Sequence, residues 1–352
     1  MPPTAATASP ELESPERDRK LEHIELALDR RTQLESRFFD AYEFEHQALP
    51  ELALDAIDLS VDFLGRRLRA PLLISCMTGG TDNAARINRH LAQAAERTGV
   101  ALGVGSQRKA LESPETASTF HVRALAPSVP VIANLGAVQL NYGFGIEECR
   151  AAVRMVGADA LALHLNPLQE ALQPEGQCDF RGLYDKIEAV VAELEVPVIV
   201  KEIGCGLAGS TARELARRGV RILDTAGLGG TSWARIEAAR AGTVALGELF
   251  AGWGVPTPDS IRAAAAVDSV TVIGSGGVRD GVEVAKAIAC GAHLVGLAQR
   301  FLEPAMESAE AVVETIEAIV HELRIAMFCA GAADLEALRR TPLIEGRGRG
   351  GR

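Results

Sequence analysis

The sequence lacks any paired-cysteine motif. Cys76, Cys149, Cys178, Cys205, Cys290 and Cys329 stand apart, with no C-x-x-C and no histidine at zinc-ligand spacing, which sets aside a zinc module. Scattered thiols of this kind read as reduced residues of a cytoplasmic protein. No run of 18 apolar residues is present, so no membrane helix is expected. The first residues, MPPTAATASPELESPE, have no apolar signal core. An excess of basic charge is also missing: the net charge is −11. That argues against broad nucleic-acid binding and leaves room for a local cationic pocket.

What the chain does have is a repeated alternation of short apolar runs and helical patterns. The runs fall at 71–75, 100–105, 130–136, 160–165, 197–202, 220–225, 270–277 and 293–298. Most are apolar throughout, which suits parallel strands buried on both faces. Helices fill most gaps, as at 84–99 and 210–219, where Ser210 or Thr211 is expected to cap and Gly219 to stop the latter. A further helix at 234–242 precedes a stretch at 248–260 that reads as irregular. Eight such units predict an α/β fold, a (β/α)8 TIM barrel, with an open doubly wound sheet as the alternative. Residues 57–75 read as a strand turning at Leu64-Gly65 into the first barrel strand, a hairpin placed to close the barrel floor. A helix is expected near 17–28 and C-terminal helices over about 305–340. The organisation is thus one domain over 17–344, between a disordered tail at 1–16 and a flexible basic tail at 345–352.

A barrel of this kind carries its site where the strands end. Every predicted strand end here is polar or glycine-rich: Ser75 to Gly80, Ser106-Gln107-Arg108, Asn134, His164 to Glu170, Lys201-Glu202, Asp224 to Thr231, Gly274 to Arg279, and Ala298-Gln299-Arg300. Singly, each has a structural explanation. Lys201 follows a buried run, and a desolvated ammonium needs an anion; that anion is either a salt-bridge partner, Glu202 or a residue of a neighbouring strand, or a bound ligand. The segment GSGGVRDG (274–281) fits a phosphate cradle at a helix start or simply a tight turn. Arg19 and Lys20, with His23 one helical turn on, fit a second anion or a solvated helix face. Glu170 fits Mg²⁺ shared with a substrate phosphate or a surface carboxylate.

In order, RKLEH (19–23), MTGGT (77–81), SQR (106–108), ANLG (133–136), HLNPLQE (164–170), VKEIGCG (200–206), DTAGLGGTSW (224–233), GSGGVRDG (274–281) and GAHLVGLA (291–298) together resemble the type 2, FMN-dependent isopentenyl diphosphate isomerases over about residues 17–340. The resemblance implies that FMN meets Ser75, Met77, Thr78, Ser106, Asn134, Lys201 and Thr231, with its phosphate against Gly277, Val278, Arg279, Ala298 and Gln299. It implies a substrate diphosphate on Arg19, Lys20, Ser106, Gln107, Arg108 and Asn166. Gln169 and His164 are then the catalytic candidates, Gln169 also facing the substrate, and Glu170 the Mg²⁺ ligand. NAD(P)H is implied as the reductant and a homo-oligomer, tetramer or octamer, as the assembly. The partner is a small isoprenoid diphosphate, with neither nucleic acid nor membrane. Ala226 departs from the pattern, since some relatives carry a flavin-contacting serine there.

Two rivals share the barrel. An FMN-dependent 2-hydroxy acid oxidase needs a histidine base that neither DTAGLGGTSWARIE nor GSGGVRDG supplies. An inosine-monophosphate-dehydrogenase-like enzyme needs a G-x-x-C-x-T cysteine loop, also missing. A non-catalytic flavin-binding barrel would explain the glycine loops and Lys201, and would not need Gln169, Glu170 or the Arg19-Lys20 pair.

Overall fold

A computed structural model describes residues 19–346, with side chains from residue 22 onward. The strands in chain order are β1 (Tyr42–Phe44), β2 (Val61–Phe63), β3 (Arg66–Leu68), β4 (Leu72–Ile74), β5 (Ala101–Gly103) and β6 (Val131–Gly136). Then follow β7 (Ala160–His164), β8 (Val198–Lys201), β9 (Ile222–Asp224), β10 (Thr271–Ser275), β11 (Leu294–Leu297) and β12 (Leu343–Glu345). Strands β4 to β11 pair in parallel and close on themselves, β11 against β4. The open-sheet alternative is thereby set aside. The eight barrel strands fall inside the eight apolar runs.

Alternation along each strand explains the core. Outward residues such as Leu72, Ile74, Leu102, Val131, Val200, Leu223 and Val295 pack under the surrounding helices. Inward residues Leu73, Ala101, Ile132, Ala160, Ala162, Ile199, Ile222, Ile273 and Leu294 fill the barrel. The β2–β3 hairpin turns at Leu64 (φ 50°) and Gly65 (φ 73°), two left-handed residues as a two-residue hairpin turn requires. It drives Phe63 and Leu68 into the same inward cluster, so it seals the floor as expected.

The helices begin and end where local chemistry demands. In the first crossover, Asp82–Thr98, the Thr81 side chain accepts from Ala84 N–H, and Gly99 at φ 70° ends the helix. Ala84, Ile87, Leu91 and Ala95 form its buried face. Three expectations are corrected. Helix Gly209–Arg217 has Ala208 at its N-cap and no side-chain cap, so neither Ser210 nor Thr211 serves. Both are drawn into the first turn, while Gly219 (φ 87°) does follow the helix end. The stretch at 248–260 is irregular only over 251–256; its two ends belong to the helices Val244–Phe250 and Thr257–Ala265, with Pro258 inside the first turn of the latter. At the C-terminus, Glu345 belongs to β12, paired with Tyr42 of β1, so the ordered chain runs past 344. The expected tails at 1–16 and beyond 346 lie outside the described residues.

No helix among the described residues is long and apolar enough to cross a membrane. The N-terminal helix Arg19–Leu28 and the C-terminal helices Gln299–Glu307, Ala309–Ala330 and Leu335–Arg340 stand where the sequence places them. The segment after the first of these helices is strapped onto the barrel mouth. Leu34 N–H donates to Gly230 O and Ser232 N–H to Thr32 O.

Candidate active site

Two residues beyond the apolar inward layer, the same strand faces carry a different set: Ser75, Gly103, Asn134, His164, Lys201, Asp224, Ser275 and Gly296. Period-two alternation puts them all on the interior side. An apolar layer capped by six polar side chains and two glycines is a lined recess at the C-terminal mouth. The glycines are small because neighbours fill their space: a β-carbon on Gly296 would lie 2.6 Å from Ser75 Oγ.

Lys201 is 7% exposed. Its Nζ donates to the backbone carbonyl of Glu202 at 2.5 Å and lies 3.9 Å from Asp224 Oδ2. The Glu202 carboxylate is not its partner. It turns away and accepts from the N–H groups of Ile203, Gly204, Cys205 and Gly206. Burial pushes the Glu202 carboxyl above its ordinary value despite those four donors.

Three polar atoms of this region are buried with no hydrogen-bond partner among the described residues: Ser75 Oγ, Thr78 Oγ1 and Asn166 Oδ1. Buried polar atoms are rarely left so, because each costs about 1–3 kcal/mol. All three belong to the set implied for ligand contact, and a polar ligand satisfies them. That is the fit expected of a flavin and a diphosphate.

The second half of the site lies over β7. Asn166 caps the short helix Pro167–Leu172, which puts Gln169 and Glu170 beside it. Asn166 Nδ2 donates to Gln169 Oε1 (3.0 Å) and Glu170 Oε1 (2.8 Å). A carboxylate only accepts, which fixes the orientation of both amides. Glu170, 7% exposed, also accepts from Gln177 N–H at 2.6 Å. Gln177 Oε1 accepts from Arg108 Nη1 (3.2 Å) and from Gln139 Nε2 (2.9 Å). Arg108 and Glu170 thus meet through one residue. No group of three or more His, Cys, Asp or Glu poised for a metal occurs among the described residues. Glu170 fits Mg²⁺ only as a single carboxylate, the remaining ligands coming from a phosphate and water.

The halves join at His164 and Gly136. His164 Nδ1 is 2.8 Å from Asn134 Oδ1. A β-carbon on Gly136 would lie 1.9 Å from Gln139 Oε1 and 3.1 Å from His164 Nε2, so this glycine lets both side chains converge.

Gln107 departs from expectation. It is wholly buried, its Nε2 donates to Ala152 O and its Oε1 accepts from Asn134 N–H. Its side chain is bonded into the barrel wall, where it holds strand ends together. Ser106 and Arg108 flank it with partial exposure. Arg19 and Lys20 stand in the first turn of the N-terminal helix, and their side chains lie outside those described.

The phosphate-loop candidates pack backbone to backbone. A β-carbon on Gly276 (φ 108°) would lie 2.1 Å from Gly227 O, and one on Gly277 (φ 68°) 2.2 Å from Gly229 O. These glycines serve loop contact and a left-handed backbone together. Arg279 donates to the carbonyls of Gly277, Gly229 and Leu34. Thr231 Oγ1 donates to Gln33 Oε1 at 3.0 Å. Val278 is buried, while Ala298 caps the helix that Gln299 begins. Met77 is half-buried beside the β4 loop. Ala226, where a serine was the alternative, takes φ 36° and donates its N–H to Ser275 Oγ.

One functional residue escaped the sequence reading. Glu237, in helix Trp233–Ala241, is wholly buried. It accepts from Gln169 Nε2 (2.7 Å) and Arg240 Nη1 (2.5 Å), and lies 3.1 Å from His23 Nε2. Burial raises its carboxyl, yet His23, Gln169 and Arg240 together hold it below its ordinary value. His23 also meets the Trp233 ring edge-on at 5.3 Å. Glu237 thereby ties the N-terminal helix to Gln169. In the sequence it sat among the alanines of ARIEAARAG, a pattern that reads as an ordinary amphipathic helix.

Comparison with known proteins supplies the context. The family model described as FMN-dependent dehydrogenase matches residues 160–345, more than half the chain. The chain is 51% identical over 334 residues to the isopentenyl-diphosphate delta-isomerase of Stutzerimonas stutzeri strain A1501, covering 93% of this chain and 96% of that one. It is 46% identical over 333 residues to the protein of the same name from Nostoc sp. strain PCC 7120, covering 93% and 95%. Among solved structures, mandelate oxidase with (S)-2-phenylpropionate superposes with a TM-score of 0.64 at 20% identity, covering 93% of this chain and 90% of that one. At that identity the likeness concerns the barrel alone.

Proposed function

Since this chain belongs to the isopentenyl-diphosphate delta-isomerase family, in its type 2 form, we propose that its barrel mouth interconverts isopentenyl and dimethylallyl diphosphate beside reduced FMN, with Mg²⁺ on Glu170 and NAD(P)H as the reductant. The observation that carries this reading is the convergence at one opening of two ligand-hungry sets. One is the inward ring with Lys201 and the unpaired Ser75 and Thr78 hydroxyls. The other is the Asn166–Gln169–Glu170–Arg108 network.

When bound, reduced FMN would supply an electron-rich ring able to exchange a proton and to stabilise positive charge that develops on the tertiary carbon of the substrate. The chain's own residues do the rest. Ser75, Thr78, Asn134, Lys201 and Thr231 orient the ring, and the loops around Gly277, Val278, Arg279, Ala298 and Gln299 receive its phosphate. Arg19, Lys20, Ser106, Arg108 and Asn166 hold the diphosphate, with Asn166 Oδ1 free to accept. Glu170 provides the protein's carboxylate to Mg²⁺, which neutralises phosphate charge. Binding energy from the diphosphate, remote from the reacting carbons, is available to exclude water from them.

Gln169 helps to position or relay a proton. Its Nε2 is anchored to Glu237 and its Oε1 accepts from Asn166, so the amide is held rather than free to rotate. His164, fixed by Asn134, stands between flavin and diphosphate. An oligomer of tetramer or octamer form and a cytoplasmic location complete the proposal.

The test is direct. Purified protein is expected to carry yellow flavin and to be inactive in air. Under anaerobic conditions, with reductant and Mg²⁺, it should convert isopentenyl diphosphate to an equilibrium mixture with no net consumption of reductant. Oxidation of a 2-hydroxy acid without isomerisation would overturn the reading in favour of an oxidase.

A further inference from the structure

We propose that Asp224 is a positioning residue that sets the charge presented to the flavin ring, by neutralising Lys201 from beneath the site; this rests on the reading that FMN binds at this mouth. Asp224 ends β9 as Lys201 ends β8, and the two are register partners on neighbouring strands. Both point inward. Asp224 is 2% exposed and its Oδ2 lies 3.9 Å from Lys201 Nζ. Its Oδ1 accepts from the Ser275 hydroxyl on β10, and Ser275 in turn accepts from Ala226 N–H at 3.0 Å.

A carboxylate in a barrel interior is expensive. Apolar residues of similar volume commonly serve stability as well or better. The layer just below shows that this barrel fills such positions with Ile222, Ile273 and Leu294. Asp224 therefore has an electrostatic reason to stand there. Burial pushes its carboxyl above the ordinary value, and Lys201 and Ser275 offset only part of that rise; the ionised state is inferred from the geometry, the ammonium at 3.9 Å and the hydroxyl that donates to it. The nearby Cys76 thiol, also pushed up by burial, stays neutral. Asn134 and Ser275 add dipoles without charge. A lone buried Lys201 would favour the negatively charged reduced ring strongly. With Asp224 ionised, the pair offers the ring a much weaker positive field. The pair therefore favours the reduced ring over the oxidised one less than Lys201 alone would.

The sign follows. Asp224→Asn removes the nearest negative charge and leaves Lys201 only the more distant field of the Glu202 carboxylate. Reduced FMN should then bind about tenfold more tightly relative to oxidised FMN, equivalent to about 30 mV in a two-electron potential. Asp224→Glu, which keeps the charge, should return the ratio close to that of the unaltered protein. Both are read by dye-equilibrated reductive titration of the holoprotein, together with the dissociation constant of oxidised FMN from fluorescence quenching. An unchanged or lowered potential in Asp224→Asn would overturn the proposal while leaving flavin binding intact. If that variant fails to fold, the unaltered holoprotein is labelled with ¹³C-aspartate and examined by infrared spectroscopy. The proposal expects no label-sensitive band from a protonated buried carboxyl, and such a band overturns it. Failure of the unaltered protein to take up FMN at all would instead remove the reading beneath it, and the proposal with it.

Discussion

Glu237→Ala is expected to destabilise the protein by about 3 kcal/mol and to lower kcat about 100-fold. Three groups lose their partner at once. Arg240, 13% exposed, donates to Glu237 and keeps only its contacts to Glu22 and Glu175. Gln169 Nε2 loses its acceptor and the amide is released. His23 loses the carboxylate that docks the N-terminal helix. Breaking a buried charge network by removing one member costs more than the network was worth, because the remaining charge stays desolvated. Glu237→Gln should recover much of the activity, since its carbonyl still accepts from Gln169. The pH dependence has a definite sign. The folded-state carboxyl is held below its ordinary value of 4.5. Its contribution is present above the unfolded value and is lost as pH falls through the folded one. The stability gap between the unaltered protein and Glu237→Ala should therefore narrow on acidification below pH 4.5. Denaturant titrations across that range measure it. A gap that widens with acid would contradict the assignment.

Glu170→Gln and Gln169→Asn are expected to reduce kcat/KM by about 100-fold or more each, about 2.7 kcal/mol of transition-state stabilisation, with flavin content unchanged. In Glu170→Gln the amide still accepts from one donor, but the charge that binds Mg²⁺ is gone. The loss should depend on Mg²⁺ concentration. In Gln169→Asn the side chain is one methylene shorter and no longer spans from Asn166 to Glu237; here the loss should fall on kcat. Steady-state kinetics under anaerobic conditions distinguish the two patterns. Full turnover in both variants would show that this network is a structural feature of the loop.

The barrel was legible because parallel strands buried on both faces read as continuous apolar runs, and the polar residues that end them stand out against those runs. Lys201 illustrates the limit of that legibility. Its burial was readable from PVIV, and a partner at Glu202 or on a neighbouring strand was expected, but the sequence did not say which. Glu202 is adjacent in sequence, yet successive side chains on a strand point to opposite faces. The partner is Asp224 on the next strand, 23 residues later in the chain. Gln107 shows a related limit. Its neighbours Ser106 and Arg108 are partly open, while it alone turns into the wall to serve Asn134 and Ala152. Glu237 was invisible because a charged residue in an alanine-rich helix normally marks the solvated face. Only the docking of the N-terminal helix over it makes that face an interior. The helix at 209–217 taught a smaller lesson. Two good capping residues stood in its first turn, and packing started the helix one residue ahead of them.

The Asn134–His164 pair and the glycine at 136 give the account its shape. They join a recess suited to a flavin with a rim suited to a metal-held diphosphate. The glycine loops after β9 and β10 are locked together through Gly227, Gly276 and Gly277.

A crystal structure of the reduced holoprotein with Mg²⁺ and isopentenyl diphosphate tests this most directly. The ring should lie on the Lys201 and Asn134 side and the diphosphate on the Arg108 and Glu170 side, with the allylic carbons between ring and Gln169 amide. Flavin and diphosphate lodged in separate clefts, or a diphosphate bound where the ring should sit, would contradict a shared opening and with it the proposed chemistry.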